Sequence, residues 1–163
     1  PPRSTLFPYT TLFRSESQKT PDHNVIIQEK LRGEEFGLDV FNNLNGELLS
    51  IVPKRKLSLR AGETDVAEIV NDDCLFSMGR QLSFVTKHIG NLDVDLFYSN
   101  NKFYILELNC RFGGQYPFSH LAGDDFPKVL IKLLLNTDVP DFLLTAKPGI
   151  IGAKEMVPVI INN

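Results

Sequence analysis

The chain has 163 residues, 42% of them hydrophobic, which is enough for one domain with a real core. A net charge of -3 with acids and bases interspersed excludes the one-signed field that nucleic-acid or membrane-surface binding requires, so ligands are to be sought locally. No apolar run approaches the roughly twenty residues of a membrane span. Cys74 and Cys110 have neither metal nor disulfide spacing, which fits a reducing compartment, and a cytoplasmic protein is the expectation.

In residues 1–15, Thr5-Leu6-Phe7 returns as Thr11-Leu12-Phe13 without helical or strand periodicity. This segment resembles a translated sequencing adapter and is set aside as a non-native leader, while residues 16–24 are polar and read as a linker. Structure is expected from Val25, where Val25-Ile26-Ile27 forms a β-branched strand. A polar connector with Gly33 follows, and Phe36 to Phe41 resumes as a strand. Asn45-Gly46 suits a tight hairpin that returns Leu48 to Val52 antiparallel to Leu38 to Leu44. The second strand is expected to end in Pro53-Lys54-Arg55-Lys56 and to pass into a basic, glycine-containing loop.

Asn71 to Ile89 has the clearest helical pattern, with Leu75, Met78, Leu82, Val85 and Ile89 on one stripe. Asn71 to Asp73 supply caps and negative charge at its start, and Lys87, His88 and Gly90 suit its end, with His88 read as a helix-end cation. Leu92 to Tyr98 and Lys102 to Asn109 form a hairpin. Asp125-Phe126-Pro127 opens a second helix whose buried face is Val129, Leu130, Leu133 and Leu134. Residues 149–161 read as a final strand pair or an edge strand limited by Pro158. The fold class is α+β: a mostly antiparallel sheet with two helices, at about 72–89 and 125–136, on one face.

The chemistry concentrates in Leu106-Glu107-Leu108-Asn109-Cys110-Arg111-Phe112-Gly113-Gly114. Strand alternation projects Glu107, Asn109 and Arg111 together, with Leu106 and Leu108 packed behind. A carboxylate and an amide oxygen are ligands for hard cations, and a guanidinium matches a pair of phosphate oxygens. Glu107-x-Asn109-x-Arg111, then Phe112-Gly113-Gly114-x-Tyr116-Pro117 and Leu121-Ala122-Gly123, resembles the metal and phosphate segment of ATP-grasp ligases. The likeness is to the group related to the carbamoyl phosphate synthase large chain and runs from about Val25 to Asn136. Cys110 stands where that family usually has proline.

That resemblance implies the C-terminal half of an ATP-grasp fold over residues 25–163. The activity implied is an ATP-dependent carboxylate-amine or ammonia ligase with an acyl phosphate intermediate. The cofactors implied are ATP and Mg2+ (or Mn2+), with a carboxylic acid and an amine as substrates. It assigns the metal to Asp95, Glu107 and Asn109, with Asp93 the less favoured alternative to Asp95. Arg111, with Asn109, serves the transferred phosphoryl group. The main chain at Glu29 and Leu31 meets the adenine, Glu35 the ribose, and Lys56 and Arg60 the phosphates or the acceptor.

One geometric condition follows. A two-residue turn at Asn100-Asn101 alone would set Asp95 opposite Leu106, on the wrong face, whereas a three-residue loop or a bulge brings it opposite Glu107. The lysines and glycine-rich flap of the preceding subdomain in relatives are not found, so the isolated chain is expected to be weak or inactive. The alternatives are a non-catalytic α+β binding domain, with Glu107 and Arg111 in an ordinary salt bridge, and a gene fragment with no function of its own.

Overall fold

The computed structural model describes residues 29–157 and 160, so the expected leader, linker and Val25–Ile27 strand lie outside the described residues. β1 (Glu34–Asn42) is the centre of the sheet. Its alternation sends Phe36, Leu38 and Val40 to one face and Gly37, Asp39 and Phe41 to the other, and both sets are buried, as befits a strand covered on both sides.

Asn43 organises the first hairpin: its Oδ1 accepts from the backbone N–H of Asn45 and of Glu47, both at 2.9 Å, and Gly46 takes a φ of 75°. β2 (Leu48–Arg60) returns antiparallel to β1 with Val40 opposite Ile51 and Gly37 opposite Lys54. The expected basic loop is instead strand. Lys54, Lys56 and Arg60 pair with Ile69, Ala67 and Glu63 of β3 (Glu63–Ile69), and the turn falls at Ala61-Gly62, both at positive φ. Strand pleating therefore divides the basic residues: Lys54 and Lys56 leave one face, while Arg55 leaves the other and pairs with Glu68 at 2.7 Å.

α1 (Asp73–Thr86) is capped by Asp72, whose carboxylate accepts from Leu75 N at 3.0 Å, and is ended by Lys87 at a φ of 46°. It buries Leu75, with Met78 and Leu82 half-buried beside it, and Gly79 lets it sit close to Ile51. The helix stops before Ile89, and Val85 falls at the rim of the stripe, so both are exposed. His88 is not a helix-end cation. It is buried, its Nε2 lies 3.0 Å from Val40 O, and burial holds its pKa below the ordinary 6.5.

β4 (Gly90–Ser99) pairs with β1 and with the edge strand β5 (Lys102–Asn109). Then come α2 (Tyr116–Ala122), α3 (Phe126–Leu134) with Asp125 as its cap, and β6 (Ile151–Ala153) beside β3. The sheet order is β5-β4-β1-β2-β3-β6, antiparallel throughout. The antiparallel α+β architecture is as expected, but the helices do not share a face. Leu75 of α1 packs with Leu38, Val40, Leu92, Val94 and Leu96. Phe118 of α2 and Phe126 and Val129 of α3 pack with Phe41, Val52, Ala67 and Ile69 on the other side. The cause is that β1 is apolar on both faces at its Val40-Phe41 end, so each face needs its own cover. Leu106 and Leu108 do not pack behind the site; they stay 42% and 44% exposed because β5 is the sheet edge.

Candidate functional site

The face of the sheet that carries Phe41 continues past α2 as a row of polar side chains. Residues Asn100 and Asn101 form a two-residue turn with φ of 50° and 59°, and Ser99 stands opposite Lys102. Left alone, that turn would bring Leu106 opposite Asp95. A bulge intervenes: Leu96 pairs with Ile105, Asp95 with Glu107, and Leu106 is the extra residue. Asp93 then stands opposite Asn109. Of the two devices that could restore the register, the chain uses the bulge, and it places Asp95, Glu107 and Asn109 on one face.

Two like charges directly opposite each other destabilise a ladder unless a cation compensates them. Lys56 approaches from two strands away, with Nζ 2.5 Å from Asp95 Oδ1 and 3.9 Å from Glu35 Oε2. Gly37 lies bare between Lys54 and Asp95, in register with both. Thus Glu35, Lys56 and Asp95, taken from β1, β2 and β4, form one contiguous line. Arg60 is not brought to it: it lies four residues further along β2, roughly 13 Å at strand rise, and pairs with Asp65 at 2.8 Å. Glu29 is exposed and Leu31 half-buried in the irregular connector before β1, which passes over Tyr98 at Gly33.

Arg111 follows the strand. Its Nη1 lies 3.6 Å from Asp93 Oδ2, and its side chain is otherwise exposed. Asp93 itself is buried, and burial raises its pKa above the usual carboxylate value; the charges of Asp39 and Asp95 push the same way, while a hydrogen bond from Gln115 and the charge of Lys54 oppose the rise. A residue this enclosed is a poorer metal ligand than Asp95, which keeps access to solvent.

Beneath the site lies a buried group that the sequence reading missed. Asp39 and Lys54 are both fully buried and paired at 2.6 Å. Asp39 also accepts from Ser119 Oγ at 2.6 Å and Asn91 Nδ2 at 3.0 Å, and Lys54 donates to Val52 O at 3.2 Å. The signal was available: an aspartate inside the apolar run Phe36 to Phe41 needs a buried partner. Its identity was not, because Ser119 comes from eighty residues away.

The donor set suits a hard divalent cation. Asp95 and Glu107 stand opposite each other in the ladder and Asn109, an amide, follows on the same face two residues on, while the ammonium of Lys56 compensates Asp95. Among the described residues no group of three or more His, Cys, Asp or Glu side chains is placed to hold a metal alone. Two carboxylates and an amide are nevertheless enough for magnesium, which takes its remaining ligands from water and phosphate. A cleft of about 590 Å³ opens elsewhere, lined by Phe36, Arg55, Glu68 and Asn71, and contains none of these side chains. No helix among the described residues is long and apolar enough to cross a membrane.

Comparison with solved structures places this architecture. Biotin carboxylase from Campylobacter jejuni, solved with β,γ-ATP, superposes with a TM-score of 0.61 at 14% identity, over 81% of this chain and 32% of that one. Pyruvate carboxylase from Rhizobium etli, solved with acetyl coenzyme A, gives 0.61 at 16% identity over 76% of this chain and 12% of its own. The chain therefore spans less than a third of either protein, and at these identities the likeness is one of fold. No curated protein matches the sequence. The family described as "ATP-grasp in the biosynthetic pathway with Ter operon" matches residues 21–152, and the chain belongs to this ATP-grasp family.

Proposed function

We propose that this chain supplies the metal- and phosphate-binding half of an ATP-dependent carboxylate-amine ligase working in the cytoplasm. In this reading residues 25–163 are a partial ATP-grasp domain whose nucleotide site is closed by a further, lysine-bearing subdomain. The observation that carries it is the bulge-restored pairing of Asp95 with Glu107, on the face where Lys56 and Asn109 also point.

In the mechanism proposed, Asp95, Glu107 and Asn109 hold Mg2+ or Mn2+. The cation, when bound, neutralises phosphate charge. Lys56 and Glu35 serve the phosphates and the ribose, Arg60 lies further out towards the acceptor, and the main chain at Glu29 and Leu31 takes the adenine edge. Arg111 presents two parallel N–H donors to the transferring phosphoryl group, whose charge is stabilised most by donors fixed in advance. A carboxylate of the substrate attacks the γ-phosphorus, ADP leaves, and an amine then displaces phosphate from the acyl phosphate. No protein nucleophile is required.

The contrasting picture of a non-catalytic domain rests on a Glu107–Arg111 salt bridge, but Arg111 faces Asp93 instead. The test is titration of the full chain with Mg-ATP beside a Glu107→Ala/Asn109→Ala double variant. The reading expects binding by the wild type and its loss in a variant that still melts cooperatively; equal binding by both would defeat it.

A further inference from the structure

The loop from Cys110 to Gln115 doubles back over the face that carries Asp95 and Glu107, and it is closed around one buried carboxylate. Gln115, just ahead of α2, is 3% exposed. Its Nε2 donates to Asp93 Oδ1 and, at 3.4 Å, lies within reach of Val94 O. Two glycines make this possible. A Cβ on Gly37 would overlap the Gln115 amide, and a Cβ on Gly113 would overlap the Asp93 carboxylate. A third tie comes from β4, where Asn91 Nδ2 bridges Arg111 O at 3.1 Å and Asp39 Oδ1 at 3.0 Å. Arg111 completes the ring with Nη1 at 3.6 Å from the second oxygen of Asp93.

Asp93 is 4% exposed, so it cannot itself meet a substrate; what it can do is hold the residues around it. A buried carboxylate is costly where its oxygens lack donors, so the loop gains most by keeping the one conformation in which Gln115 reaches Oδ1. Within the loop only Arg111 also approaches Asp93, at 3.6 Å from the other oxygen and from an exposed side chain, whereas the Gly113-Gly114 pair has no side chain and Phe112 packs on Tyr116; the buried oxygen Oδ1 has Gln115 as its hydrogen-bond donor.

We propose that Gln115 is a positioning residue: by clasping Asp93 it fixes the loop so that the Arg111 guanidinium stays over the Glu107–Asn109 face. This rests on the assignment of Arg111 to the transferred, γ-phosphoryl group. The role goes to an amide because a carboxylate at 115 would meet Asp93 with like charge, and an aliphatic side chain would leave Asp93 without its donor.

The experiment is a double-variant cycle on the full chain, using Gln115→Ala and the volume-preserving Gln115→Leu, Arg111→Met, and the combinations. Folding is checked by thermal melts, and Mg-ATP and Mg-ADP are titrated separately. The expected result is a Gln115 variant about tenfold weaker for Mg-ATP and within twofold for Mg-ADP, with no further loss when Arg111 is already Met. Equal weakening for both nucleotides, or losses that add with Arg111→Met, overturns the proposal while leaving the nucleotide reading intact. A wild type that binds neither nucleotide overturns the nucleotide reading, and this proposal with it.

Discussion

The ammonium of Lys56 lies 2.5 Å from Asp95 Oδ1, across an intervening strand that is bare of side chain at Gly37. The contact joins a residue assigned to the phosphates to one assigned to the metal, and the two assignments have opposite electrostatic signs. Replacing Lys56 by Gln removes repulsion toward a cation at Asp95 and attraction toward a phosphate. Binding of Mn2+ alone should tighten and binding of Mg-ATP should weaken, each by about 1 kcal/mol or roughly fivefold for a partly exposed pair. Titration of each ligand separately gives the two signs; a change in the same direction for both would contradict the assignment.

The Asp39–Lys54 pair makes a prediction about stability. Lys54→Met leaves a fully buried aspartate without its counter-ion and should cost about 3–5 kcal/mol. Adding Asp39→Asn should recover much of the loss, since the amide still accepts from Ser119 and no charge remains buried. Urea denaturation of the single and double variants measures both; a double variant as unstable as the single one would show that the pair is not the unit.

His88 gives a pH dependence of definite sign. Burial lowers its folded-state pKa below 6.5, so the unfolded chain binds the proton first as pH falls. Its contribution is fully present above about pH 6.5 and is lost below it, at up to about 1.4 kcal/mol per pH unit until the folded-state pKa is reached. Between pH 7.5 and 5.5 the wild type should lose more stability than His88→Gln, whose side chain does not titrate. Denaturation midpoints at the two pH values check this, and a wild-type loss no larger than the variant's would contradict it.

Gly113 is bare where the loop crosses Asp93, so Gly113→Ala must displace either the loop or the carboxylate. Overpacking of this kind costs about 1–3 kcal/mol. The neighbouring Gly114→Ala has ordinary contact distances, with Lys154 Nζ at 3.6 Å, and should be nearly neutral. Paired thermal melts compare the two glycines, and equal effects would mean that the close approach over Asp93 is not a constraint.

Much of this was legible in the sequence because it follows from period and punctuation. Alternation puts Glu107 and Asn109 on one face of β5, which ends before Arg111. Asp72, among the polar residues at 71–73, caps α1, which stops short of the Ile89 that the apolar stripe reached, and the paired asparagines marked the hairpin turn. What was hidden depends on contacts between distant segments. Arg55 and Lys56 look like one basic cluster until a partner strand splits them between faces. His88 looks like a surface cation until Val40 and Asn42 enclose it. The sequence does not say that Asp93 is buried, because the Gln115 that covers it lies twenty-two residues away. The register of Asp95 was left between two devices, and only the ladder itself distinguishes a bulge at Leu106 from a longer loop.

The claim on which the account stands is that Asp95, Glu107, Asn109 and Arg111 meet one cation and its polyphosphate. Its most direct test is paramagnetic relaxation in the isotope-labelled full chain titrated with Mn-ATP. The account predicts selective broadening of the resonances of these four residues and of Lys56, with Glu107→Ala/Asn109→Ala abolishing it. Broadening centred on the cleft lined by Arg55 and Glu68, or none at millimolar Mn-ATP, would contradict it.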